Sequence, residues 1–371
     1  MGTLRQRIRY LSTPDGVRLA WADAGSGPLL VKAANWLSHL EFEWESPVWR
    51  HWIRFFTDHF RFVRYDERGC GMTDWKVGDL SQEHWVDDLE AVIEAARPDA
   101  PLLLLGISQG AATCVRYAAR HPERVSRMIL YGAYARGVNR RGDPERERLY
   151  RAIIDMARLG WGTPNPAFRQ VFTSRFVPGA SDEQLRWFND LCSRTTSPEI
   201  AATLLQARAS VDVTDLLAEI RVPTLVIHSR DDQVTPLAEG RLLAAGIPRA
   251  EFVELDSSNH VLLEHEPAWG RFCDVVREFT GVAATQTDDP AFAALSPRER
   301  EVLALITEGL SNAEIGEQLQ ISGKTVRNHL TNVFDKLGVW TRAQAIVFAR
   351  DRHFGQSSRA EASRSNLDRP T

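Results

Sequence analysis

The chain has 371 residues, 43% of them hydrophobic, and a net charge of −4. It is too long for one ordinary domain and apolar enough to bury a large core, while its near-balanced charge gives no global pull toward nucleic acid or anionic lipid. Cys70, Cys114, Cys192 and Cys273 are scattered, which excludes a paired zinc spacing and a small disulfide framework, so no metal and no cofactor are expected. The first residues lack an apolar signal core, and no apolar run approaches the ~20 residues that span a bilayer. A cytoplasmic location with no membrane partner is the expectation.

From residue 8 to residue 34, two short alternating runs, broken at Pro14, Asp15 and Gly16 and again between Gly25 and Pro28, predict antiparallel strands leading into a buried one. Apolar runs at 61–66, 101–107, 126–132, 224–230 and 251–256 then alternate with helical segments. That order predicts an α/β architecture with a mostly parallel sheet. Residues 136–218 interrupt it with helical pattern alone, rich in arginine and carrying Trp161, Phe168, Phe172, Phe176, Trp187 and Phe188, as an inserted lid would. These rings, with the aromatics of residues 42–56, suit an apolar pocket or a core. A helix over 267–279 ends at Gly281, and the small, polar residues 283–293 read as a linker.

Catalytic chemistry concentrates at GISQG, residues 106–110, where Ser108 stands between the buried strand PLLLLGI and a helix. A strand–turn–helix context is what a nucleophile elbow needs, because the sharp turn strains the serine backbone and brings strand and helix too close for larger flanking side chains. The serine hydroxyl needs a base, and that base needs an acid to fix its tautomer. Asp232 follows strand TLVIHS, and His260 follows strand EFVELD, both in loops at carboxyl ends. Asp231 and His265 are rivals, the first nearer its strand and the second set apart by an apolar run.

These residues, together with YDERGCGMTD at 65–74, make residues 1–282 resemble the α/β-hydrolase superfamily with a helical lid at about 136–218. The resemblance implies an oxyanion hole formed by the backbone amides of Gln109 and Trp36. Many relatives place HG after the third strand, whereas this chain has VKAANWLSHLE, with Ala34 and Asn35 at those positions.

The last quarter is helical. Ser296 is an N-cap with Pro297 at the first helical position and Glu299 closing a capping box; Ser311 with Glu314 opens a second helix, Ser322 a third, and Thr341 with Gln344 a fourth. In the third, Val326, Leu330, Val333 and Leu337 form one apolar stripe, and Lys324, Arg327, Asn328 and Thr331 project from the other face. Residues 298–320 set two arginines against five carboxylates, whereas 321–342 set Lys324, Arg327, Lys336 and Arg342 against Asp335. Only that second half should face phosphate.

The motifs SPRE, SNAEI, IS..TV..H and KLGV, in that order, make residues 294–353 resemble the helix-turn-helix domain of LuxR-type transcriptional regulators. By this resemblance the helix from 323 to 337 enters the major groove, with Lys324, Arg327 and Asn328 near bases or phosphates and Lys336 near the backbone. The chemistry allows it: arginine can pair two acceptors on guanine, asparagine can read adenine, and Thr325 with the amides of a helix start can hold phosphate. Residues 354–371 read as a disordered tail.

The expected protein is thus a DNA-binding regulator whose hydrolase-fold domain binds a small apolar ester, lactone or acyl compound. The alternative is an active serine hydrolase, esterase or lactonase, whose turnover removes or generates the effector. A homodimer is expected on DNA with paired half-sites. Ile346, Val347 and Ala349 are candidates for a helix-pairing surface or for packing within the helical unit.

Overall fold

The computed structural model describes residues 5–282, 290–292, 294–352 and 354, and the chain divides after Val282 into two units. The first begins with strands β1 (Arg7–Ser12), β2 (Arg18–Ala24) and β3 (Leu29–Lys32), then helices α1 (Leu40–Trp44) and α2 (Arg50–His59). Strand β4 (Arg61–Tyr65), helix α3 (Gln82–Ala96), strand β5 (Leu102–Ile107), helix α4 (Gly110–Arg120) and strand β6 (Val125–Tyr131) alternate. Four helices follow as the lid: α5 (Pro144–Gly160), α6 (Ala167–Phe176), α7 (Asp182–Thr195) and α8 (Pro198–Ala209). Strand β7 (Thr224–Ser229), helix α9 (Leu237–Gly246), strand β8 (Glu251–Leu255) and helix α10 (Pro267–Thr280) complete the unit.

The strands form one eight-stranded sheet among the described residues, in the order β1-β2-β4-β3-β5-β6-β7-β8. The β1–β2 and β2–β4 pairings are antiparallel and the remainder parallel. Every residue of β5 is buried, because helices cover both faces and an LLLLGI run leaves no polar side to expose. Strand β2 departs from the alternation expected of it. Leu19 and Trp21 enter the main core while Ala20 and Ala22 pack on the other face with Leu40, so α1 covers what would have been a wet side.

The aromatic run at 42–56 divides between the two roles it suited. Trp52 packs on Phe272 of α10 with ring centroids 4.7 Å apart, as core, whereas Phe42 stacks at 5.1 Å on Trp187 of the lid. The DERG turn after β4 is an anchor. Fully buried Arg68 grips both oxygens of Asp88, at 2.7 and 2.6 Å, and Asp66 accepts the amides of Leu40 and Met72.

In the second unit, helices α11 (Pro297–Thr307), α12 (Asn312–Leu319), α13 (Gly323–Leu337) and α14 (Arg342–Asp351) surround a core that includes Val302, Ile306, Ile315, Val326 and Val333. Reciprocal capping boxes open α11, α12 and α14, and Ser322 caps α13 through the Thr325 amide. Two residues differ from expectation. Phe292, in the predicted linker, and Phe354, the first residue of the predicted tail, are buried in this core with rings 4.5 Å apart. Residues 283–289 of the linker and 355–371 of the tail lie outside the described residues. Ala349 packs inward, Ile346 is half-buried, and Val347 is exposed.

Candidate functional site

Ser108 occupies the turn between β5 and α4 with φ 53°, a left-handed conformation that costs a side-chain-bearing residue energy and persists only where its surroundings enforce it. The surroundings do. Its amide donates to the Tyr131 carbonyl at 2.9 Å, and a Cβ added at Gly106 would lie 2.6 Å from the Ala111 Cα. At Gly110 the same atom would lie 3.1 Å from both the Ala33 and Ala34 carbonyl oxygens, so the segment after β3 rests against the start of α4.

That contact brings together the two stretches containing Gln109 and Trp36. Gln109 caps α4 without using its side chain, and neither the Gln109 nor the Trp36 amide is engaged in a hydrogen bond among the described residues. Helix-start amides carry partial positive charge and suit an oxyanion.

The structure brings Asp232 and His260 together. His260 Nδ1 and Asp232 Oδ2 are 2.6 Å apart, and the other carboxylate oxygen accepts the amides of Val234 and Thr235 at 2.7 and 2.9 Å. Asp232 is thereby fixed by its own turn and presents one oxygen to the imidazole. Burial works to raise its pKa, but the charge and hydrogen bond of His260 outweigh it and the net direction is down. An aspartate that stays ionised holds the proton on Nδ1 and leaves Nε2 as the basic nitrogen. Nε2 is buried and has no hydrogen-bond partner among the described residues. The rivals stand apart, since Asp231 and His265 are both exposed.

Three neighbours were not apparent from sequence. His228 on β7 lies 3.8 Å from Asp232 Oδ2 and bonds the Thr235 carbonyl; burial lowers its pKa and favours the neutral ring. Its position four residues before Asp232 was the available signal. Gly132, with φ 55°, leaves room for the imidazole, because a Cβ there would lie 3.1 Å from His260 Cε1. The lid supplies the third, as the Phe176 carbonyl accepts the His260 amide at 2.8 Å.

Lid aromatics also cover Trp36. Trp161 stacks on Trp36 at 5.2 Å, and Phe172 meets both rings edge-on at 5.2 and 5.8 Å. Beside them lies a buried ion pair between Arg208 of α8 and Glu67 of the DERG turn. Burial raises the Glu67 pKa, with Arg208 opposing.

On the second unit, Lys324, Arg327, Asn328 and Thr331 are exposed along α13. Lys324, Arg327 and Asn328 form no side-chain hydrogen bond or ion pair among the described residues, so their donors face outward. The Thr325 hydroxyl is 2.9 Å from the Ser322 hydroxyl and belongs to the cap. Lys336 donates to Glu299 at 2.7 Å, and Arg342 donates to Asn312 at 2.9 Å and to the Leu310 carbonyl. Two of the four cations expected on the positive half therefore hold the unit together.

Fold and site define an α/β hydrolase with a serine elbow, followed by a helix-turn-helix unit. The chain belongs to the family described as serine aminopeptidase, S33, which matches residues 51–268, and its residues 293–349 match the bacterial regulatory proteins of the luxR family. It is 28% identical over 253 residues to the AB hydrolase superfamily protein YisY of Bacillus subtilis (strain 168), spanning 68% of this chain and 91% of that protein. The transcriptional regulatory protein LiaR of the same organism is 32% identical over 142 residues, 37% of this chain and 64% of LiaR. The crystal structure of the enol-lactonase from Burkholderia xenovorans LB400 superimposes with a TM-score of 0.59 at 26% identity, covering 74% of this chain and all of that one.

Proposed function

We propose that this protein is a DNA-binding transcriptional regulator whose hydrolase-fold domain binds a small apolar ester, lactone or acyl compound and controls the C-terminal reader. The observation that carries the proposal is the buried Asp232–His260 pair together with the strained Ser108 elbow, with Trp161 and Phe172 packed on Trp36, in a chain whose α13 presents an outward-facing Lys324, Arg327 and Asn328 row. Gln109 and Trp36 supply the oxyanion amides; Thr325, Thr331 and Lys336 support the groove-facing helix. The protein acts in the cytoplasm as a homodimer, with exposed Trp340 and Val347 of the α14 region as the pairing surface. Ligand moves the DNA equilibrium only through a difference in affinity between two arrangements of the protein.

Native mass spectrometry of the purified chain identifies the retained compound. Titration of the chain's own upstream DNA with and without that compound should shift Kd by about 5-fold to 150-fold. An unchanged Kd would sink the proposal.

The 2.6 Å Asp232–His260 contact favours a second reading, in which Ser108 hydrolyses the compound and turnover sets the signal. Ser108→Ala separates the two. If regulation persists while ester hydrolysis falls by about 10⁴-fold or more, binding is the switch.

A further inference from the structure

We infer that the compound held by the hydrolase-fold unit carries a free carboxylate and that Arg208 is the side chain that pairs with it, an inference resting on the acyl-binding proposal above. Arg208 is 3% exposed, yet its Nε and Nη1 have no hydrogen-bond partner among the described residues. Only Nη2 is used, by Glu67. Guanidinium is always charged and carries five N–H donors, so burying it with two of its three nitrogens unmet is costly unless something supplies acceptors.

The position of those donors names the acceptor's place. The guanidinium carbon sits over two indole rings, 5.1 Å from the Trp36 centroid and 5.5 Å from that of Trp85, so its unmet donors lie beside Trp36. Trp36 belongs to the segment that rests on the start of α4 and lies beneath Trp161 and Phe172. Arg208 therefore stands against the ring of Trp36, two residues beyond the Ala34 carbonyl that rests on the start of α4 directly after Ser108.

An apolar ester alone makes no use of a buried cation there. A carboxylate does, because it is planar, accepts from several N–H groups and carries one charge. Glu67 already balances Arg208 once, and Asp88, which raises the Glu67 pKa further, is itself paired with Arg68. With the neighbouring charges paired, the two unmet nitrogens suit one planar monoanion better than a doubly charged phosphate. The class is an acyl compound with an ester or lactone at one end and an acid at the other.

The test uses matched pairs, the monomethyl and dimethyl esters of succinate, glutarate, adipate and pimelate, bound to the full chain carrying Ser108→Ala and measured by calorimetry. At least one half-ester should bind about 10-fold or more tightly than its diester. Arg208→Lys should keep part of that preference. The paired change Glu67→Gln with Arg208→Gln, which removes both buried charges and leaves neither unpaired, should abolish it, half-ester and diester then binding the variant alike. Equal binding of every pair, or a preference that survives the paired change, overturns the inference. Saturable binding of diesters alone does so too while leaving the acyl-sensor proposal standing, whereas no binding of any ester removes that proposal and this inference together.

Discussion

His260 is held by the lid as well as by Asp232: its amide donates to the Phe176 carbonyl at 2.8 Å, and the Phe176 ring meets the imidazole edge-on at 5.2 Å. Phe176 ends α6, the helix whose Phe172 covers Trp36. One helix thus touches both His260 and Trp36. Phe176→Ala keeps the carbonyl but frees the ring side of His260, so hydrolysis of p-nitrophenyl acetate should fall by about 10-fold to 100-fold in kcat. Unchanged kcat with unchanged Tm would show that the lid does not position the base.

Gly132→Ala presses on the same ring from below. Its new methyl would stand 3.1 Å from His260 Cε1 and 3.2 Å from Nδ1, at a backbone φ of 55°. Stability should drop by about 1 kcal/mol or more in urea titration from the backbone alone. If Ser108 hydrolyses the compound as in the second reading, the kinetic loss should fall on kcat rather than KM, because the displaced group is the proposed base and not the binding surface. A variant that loses stability but retains full kcat counts against the placement of His260.

Lys32 offers a pH signature. It ends β3 in the interior, where burial pulls its ammonium down to about 8 despite the opposing charge of Glu43. Between there and the ordinary lysine value near 10.4, the unfolded chain holds a proton that the folded chain has released. Stability from this group therefore rises with pH across that window. Urea midpoints from pH 7.5 to 10 should show wild type gaining on Lys32→Met as pH increases; parallel curves would mean that the buried amine is not depressed.

Arg327 and Lys336 should separate affinity from stability. Arg327 is exposed on α13, whereas Lys336 is paired with Glu299, whose own burial is overcome by hydrogen bonds from Lys336 and Ser296 that take it down to about 2. Arg327→Ala should weaken DNA binding and reduce the slope of log K against log salt by about 1, with Tm unchanged. Lys336→Met should instead lower Tm at pH 7. Glu299 has a depressed pKa, so its contribution is present above the ordinary glutamate range and fades as pH falls from about 4.5 toward 2. A Tm difference that persists undiminished below that window would contradict the pairing.

What sequence could and could not reveal follows from range. Caps at Ser296, Ser311, Ser322 and Thr341 are decided within three residues, and each forms as its spacing requires. The buried run of β5 and the GISQG turn are equally local. Arg208 and Glu67 meet across 141 positions, and neither residue type, alone in a helix or a turn, signals burial. Lys336 and Arg342 read as free cations in the sequence because their partners, Glu299 and Asn312, lie on other helices. Phe292 and Phe354 read as linker and tail from the small and polar residues around them, yet a single aromatic ring is enough to extend a small core.

The stack of Trp161 on Trp36 has an optical consequence. Indole emission reports the polarity around the ring, and these two of the chain's 11 tryptophans are buried against each other at 5.2 Å. A ligand of the proposed kind that enters between Trp161 and Trp36 would part them. Its arrival would then be readable in a cuvette without label, DNA or turnover, and Trp161→Phe would mark which part of the signal belongs to that stack.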